Sequence, residues 1–204
     1  MTATNQGKKM LEFREYLDYL EAVENRGKGV LIGIDPGKTG AIAFLCGRKT
    51  FFLDIPTVVV EKGKDKKGKL KRRSEYDLYT LKNIFGVTLK PFHSRMRVFL
   101  ERAQIMGKWA PRQDTPLTAF DVGWGAGMWH MLFVCFGIPF EDIPPAEWKK
   151  AMGLTRKGKE AARRMAQRIF PDIAESHLNT KSSHNRAEAL LIAEFGRLKS
   201  WRDD

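Results

Sequence analysis

Short apolar runs closed by glycine or proline share this chain with stretches of helical periodicity. Residues 29–35 read Gly-Val-Leu-Ile-Gly-Ile-Asp, an apolar run that ends on one acid. A Pro-Gly-Lys-Thr-Gly turn follows, then a second apolar run over 40–46 and a third over 50–55. Runs this short, separated by glycine-punctuated gaps, predict three strands joined as hairpins. Pro56 and Thr57 interrupt the third, and Val58-Val59-Val60 resumes it. Arg97 to Glu101 predicts a fourth strand that also ends on an acid, and Ile138 to Pro145 a fifth that enters a turn.

The helical signal lies between and after these runs. Phe13, Tyr16, Leu20 and Val23 recur at helical spacing within residues 8–25. Residues 74–85 predict a helix capped by Ser74, and 117–136 predict one starting at about residue 124. A short helix over 146–151, an amphipathic one over 157–170 and a last one over 183–199 complete the order. Strands and helices in this order predict a mixed α/β domain over 28–204, preceded by a helical extension over 1–27. The 204 residues, 43% of them hydrophobic, suit one core.

Charge changes the picture. The chain carries a formal net charge of +12. Residues 61–73 hold eight basic and two acidic residues, a surplus of six and half of the total. The basic members are Lys62, Lys64, Lys66, Lys67, Lys69, Lys71, Arg72 and Arg73. With little apolar content, this segment predicts a mobile loop. Lys149, Lys150, Lys157 and Lys181 add further cations near the later helices. Such a distribution favours a polyanionic partner, since each neutralised phosphate releases counterions. Cys46 and Cys135 lie in apolar stretches without metal-ligand spacing, which predicts buried, reduced thiols. No apolar run reaches the about 18 residues of a membrane span, and the N-terminus has no signal-peptide core, so a cytoplasmic protein is expected.

The chemistry centres on Asp35. A carboxylate at the end of a buried strand is costly without a compensating partner. Glu101 ends a second apolar strand, and the two acids emerge at one sheet edge if those strands run parallel. Glu188 lies on the last helix, with His184 and Asn185 one turn before it. Three acids from separate elements suit magnesium and two-metal phosphodiester chemistry. Each has a plainer reading: Asp35 as a turn cap, Glu101 in a salt bridge to Arg97 or Arg102, Glu188 as an ordinary helical glutamate.

The order strand acid, strand acid, helix-face acid resembles the RuvC-like Holliday-junction resolvases of the ribonuclease H-like superfamily, the phage and organellar branch above all. The matching pieces are Gly33-Ile34-Asp35-Pro36-Gly37 with Gly40-Ala41-Ile42-Ala43, then Val98-Phe99-Leu100-Glu101, Ile143 to Lys150, and Arg186 to Ala193. The resemblance implies a ribonuclease H-like fold: a mixed central sheet, its first three strands antiparallel, flanked by helices. It also implies a homodimer that makes paired nicks in four-way junctions, with Mg2+ or Mn2+ as cofactor and no nucleotide cofactor. Asp35 and Glu101 would hold metal, and Glu188 would stand for the family's final acid.

One departure stands out. The family carries an acid or a histidine one turn before the last acid; here Asn185 and His184 occupy that turn. Three readings stay open: a variant ligand, a naturally weak nuclease, or an isosteric replacement of aspartate that disarms the site. If Asn185 is the ligand, Asn185→Asp is expected to raise magnesium-dependent nicking. The basic loop, Lys149, Lys150, Lys157 and Lys181 would position backbone phosphates, with Lys157 and Lys181 nearest the scissile one. The stretch from Glu101 through Trp109 to Trp124 would approach the junction centre, while Trp129 and Phe133 read as core or dimer-interface residues and Asp121 as a turn residue. A sugar-kinase-like ATPase, a transposase-type nuclease and a non-cutting junction binder are the rivals. The first lacks its second phosphate loop here.

Overall fold

The computed structural model of the chain describes residues 3–22, 29–64, 67–105, 114–180 and 183–200. Five strands form the main sheet: β1 (Val30–Asp35), β2 (Ala41–Cys46), β3 (Lys49–Asp54), β6 (Met96–Glu101) and β7 (Phe140–Ile143). Their order is β3-β2-β1-β6-β7. β1, β2 and β3 pair antiparallel, whereas β1–β6 and β6–β7 pair parallel. The parallel register sets Ile34 beside Leu100, so the acids that follow each, Asp35 and Glu101, leave the sheet at one edge.

The three hairpin strands match the apolar pattern because the sheet is covered on both faces, and β2 is buried at every position. On one face α1 (Ala3–Ala22), α2 (Leu78–Asn83) and α3 (Pro116–Phe136) pack over Ile32, Ile34, Ile42 and Phe44. On the other, α4 (Pro145–Ala151), α5 (Lys159–Ile169) and α7 (His184–Ser200) pack over Ala41, Ala43 and Phe99. A four-residue helix, α6 (Ala174–His177), joins α5 to α7. Phe13, Tyr16 and Leu20 of α1 are buried in the first of these cores, with the Phe13 ring stacked on Phe51 at 5.0 Å. Each such side chain contributes about 1.5–3 kcal/mol of burial.

The segment read as a mobile basic loop is instead a hairpin of β4 (Thr57–Lys64) and β5 (Leu70–Tyr76). The valines of β4 supply β propensity, and a register shift between Glu61 and Lys64 absorbs Gly63, whose φ is 88°. Ser74 therefore lies in β5. The helix expected from it begins only at Leu78, because Asp77 accepts from the Thr80 backbone N–H at 3.0 Å and caps it there. α3 begins about two turns before the expected start. The Thr115 hydroxyl accepts from Thr118 N at 3.1 Å and Pro116 sits at its first position, so the interior glycines do not delay it. Asp121 accordingly lies within α3 rather than in a turn. Cys46 is buried as expected, but Cys135 is exposed on α3; neither forms a disulfide among the described residues. Among the described residues no helix is long and apolar enough to cross a membrane.

Candidate active site

Asp35, Glu101 and Glu188 face one another from β1, β6 and α7. What brings α7 so close is Gly33. A Cβ there would lie 2.1 Å from the Ala189 carbonyl oxygen and 2.4 Å from the Ala193 nitrogen. Only hydrogen at that position lets the helix backbone rest directly on β1. The helix thereby carries Glu188 to the strand ends.

The turn after Asp35 is equally tight. Gly40 N donates to Gly37 O at 2.7 Å, and a Cβ at Gly40 would meet the Asp35 carbonyl oxygen at 2.0 Å. The turn is tied from several sides. Tyr76 Oη donates to Pro36 O at 2.8 Å and Trp129 Nε1 to the same oxygen at 3.3 Å. Lys38 Nζ reaches Glu75 Oε2 at 2.7 Å, and Asn185 Nδ2 donates to Thr39 O.

The electrostatics follow from this crowding. Burial first, then the Glu101 and Glu188 charges, push Asp35 up from 3.8 to about 7, against a weak 3.5 Å hydrogen bond from Gly37 N and the Lys159 charge. Burial also raises Glu101, opposed by its hydrogen bond from Trp148 and by Lys149. Trp148 Nε1 donates to Glu101 Oε1 at 2.9 Å, and Lys149 Nζ lies 3.9 Å from Glu188 Oε1. Three acids thus share a half-buried site with too little positive charge. Their oxygens are the donors that hard divalent cations take, and a cation there would relieve both burial and mutual repulsion. As the side chains stand, no group of three ligating residues among the described ones is close enough to hold an ion. Glu101 takes no part in the salt bridge considered from sequence, since Arg97 pairs with Glu141 at 3.7 Å.

The other sequence candidates fall into three groups. His184 and Asn185 open α7, and Lys149 stands beside Glu188. Lys150 and Lys157 are exposed, on α4 and in the turn before α5. Lys62, Lys64, Lys67, Lys69, Lys71 and Arg72 are exposed on the hairpin, and Lys62 approaches Glu75 at 3.6 Å. Arg73 is turned inward, bonded to Asp121 and 2.9 Å from Glu75. Lys66, Lys181 and the segment with Trp109 lie outside the described residues. Trp124 stacks on Tyr76 at 5.7 Å, while Trp129 and Phe133 are core, as expected. Sequence reasoning placed Lys159 with Arg156 and Lys157 in a phosphate-binding cluster but missed that its charge acts on both Asp35 and Glu101, and it missed the support from Trp148 and Tyr76. Lys159 was one cation among many, and no local pattern marks an indole that reaches a strand end. A groove of about 390 Å³ opens beside Asp35 and Glu101, walled by Tyr76, Gln104, Asp121 and Gly125.

No family model matches the chain. Over 83 residues, 40% of the chain, it is 36% identical to the protein named Holliday junction resolvase MOC1, chloroplastic, of Chlamydomonas reinhardtii. The match spans only 9% of that relative's length. The Thermus thermophilus RuvC structure is 21% identical, with a TM-score of 0.45 over 83% of this chain and 96% of that one. T. thermophilus RuvC in complex with Holliday junction substrate is 18% identical and superposes with a TM-score of 0.52, covering 86% of this chain and 96% of that one. With its five-strand mixed sheet, flanking helices and this superposition, the chain has the ribonuclease H-like fold of RuvC.

Proposed function

We propose that the chain is a metal-dependent endonuclease that resolves four-way DNA junctions by hydrolysing phosphodiester bonds. The observation that carries this reading is the set Asp35, Glu101 and Glu188, gathered at the strand ends of a RuvC-type sheet with Asp35 held near 7. The local sequence likeness to a protein named as a Holliday junction resolvase supports it. Asp35, Glu101 and Glu188 would hold Mg2+, or Mn2+ in its place. When bound, such ions activate water and stabilise the leaving 3′ oxygen. The protein's own cations do the rest. Lys159 and Lys149 lie beside the carboxylates and would draw a backbone phosphate to them. The exposed hairpin lysines would hold the duplex arms without reading sequence.

The proposed assembly is a homodimer. Leu117, Phe120, Trp124, Met131 and Val134 are exposed along α3, three, four, seven and three residues apart. That spacing, with Gly127 in the gap, is a heptad seam about 26 Å long. Phe120 is 65% exposed, Met131 59% and Val134 64%, so the seam has no cover among the described residues. A two-fold pairing of α3 would cover it and present two sites to the two equivalent strands of a junction. A bacterial or phage-infected cytoplasm, where free thiols stay reduced, is the proposed place of action.

The test is cleavage of an end-labelled four-way junction and of linear duplex, with Mg2+, with Mn2+ and with chelator. Paired nicks in the junction that need the metal are expected. Equal cutting of linear duplex would point to a less selective nuclease. Tight junction binding with no cutting at any metal concentration would overturn the enzymatic reading.

A further inference from the structure

Asn185 stands where the family resemblance implies a metal ligand, yet its contact is of another kind. Nδ2 donates to the backbone carbonyl of Thr39. A carbonyl oxygen only accepts, so the group that faces it must carry an N–H. This fixes the orientation of the amide and gives a chemical reason for asparagine. An aspartate would set a carboxylate oxygen against a carbonyl oxygen and leave both without a donor.

Thr39 belongs to the turn that starts at Asp35, and Asn185 lies in the first turn of the helix that carries Glu188. Three other carbonyls of that turn are tied elsewhere: Pro36 O to Tyr76 and Trp129, Gly37 O to Gly40 N, and Gly40 O to Ile55 N at 3.1 Å. Thr39 O is the one that reaches α7. We infer that Asn185 is a positioning residue: its amide locks the β1–β2 turn onto α7 and so sets the separation of Asp35 and Glu188. The inference rests on reading those carboxylates as the nuclease centre. It reverses the expectation drawn from sequence, in which an aspartate at 185 restores a missing ligand.

The test compares the full-length wild type with Asn185→Asp and Asn185→Ala in two measurements. One is the rate of junction nicking against Mg2+ concentration. The other is amide hydrogen exchange over residues 36–40 in the metal-free protein, with β7 as the reference. Asn185→Asp is expected to nick about tenfold slower at saturating Mg2+, with a half-saturation no lower than that of wild type. Exchange over 36–40 should quicken in both variants while β7 stays unchanged. Faster nicking by Asn185→Asp at a lower Mg2+ half-saturation would overturn the inference in favour of a ligand. So would unaltered exchange over 36–40 in both variants, or an equal rise at β7, which would mean general loosening. If wild type fails to nick, the nuclease reading falls, and the exchange measurement still decides the clamp.

Discussion

The indole N–H of Trp148 donates to Glu101 Oε1 at 2.9 Å, joining a wholly buried side chain of α4 to the acid at the end of β6. One carboxylate oxygen is thereby occupied and the other is left for a ligand. Trp148→Phe keeps most of the apolar volume and removes the donor. Junction nicking is expected to fall about tenfold, with a stability loss of about 1–2 kcal/mol by chemical denaturation. A variant that nicks at the wild-type rate would show the bond to be idle.

Asp35 makes stability depend on pH in a defined direction. The unfolded chain releases this proton near 3.8, whereas the native protein keeps it to about 7. Between these values the native state binds more protons, so the contribution is present below 3.8 and lost as pH rises through about 7. Asp35→Asn removes the dependence. Without metal the variant should be more stable than wild type at about pH 8, by on the order of 2 kcal/mol, with the gap closing toward acid. Urea titrations across that range check it. Because metal binding displaces the proton, Mg2+ should stabilise wild type more at about pH 8 than at about pH 5, and Asp35→Asn hardly at all.

Gly33→Ala tests the close approach of α7 to β1. The added methyl would overlap the Ala189 and Ala193 backbones. A loss of about 3 kcal/mol or more is expected, since backbone cannot step aside as a side chain can. Thermal unfolding followed by circular dichroism measures it. An unshifted midpoint would mean that the helix does not lie where the structure puts it.

The α3 seam predicts a change of mass. Met131→Glu with Val134→Glu places charge in an exposed apolar stripe, so the monomer fold should survive. Light scattering should show the dimer give way to monomer, and paired nicks should become single ones. A dimer of unchanged mass would place the interface elsewhere.

Much of this architecture is legible in the sequence because its strands are short and apolar and end on acids. The runs of β1, β2, β3 and β6 stand out, and the positions of Asp35 and Glu101 follow from them. The basic hairpin was hidden because its stability comes from cross-strand pairing, and its lysines read as solvated coil. The early start of α3 was hidden by glycines that tertiary packing tolerates; Gly125 makes room for the Tyr76 hydroxyl 2.9 Å from where a Cβ would lie. The contacts of Trp148 with Glu101 and of Asn185 with Thr39, and the action of Lys159 on the acids, were beyond sequence. Each acts on a residue far along the chain, and no local spacing encodes such a meeting.

Two of the three carboxylates come from the adjacent C-terminal ends of a parallel strand pair, and the third from a helix that is last in chain order. Asp35 and Glu101 meet only when β6 pairs with β1, and Glu188 joins them only when α7 seats on Gly33. On the nuclease reading, an incomplete or partly unfolded chain would therefore be harmless to DNA. The proposed cutting centre would thus double as a safety catch, released only when the whole domain has closed.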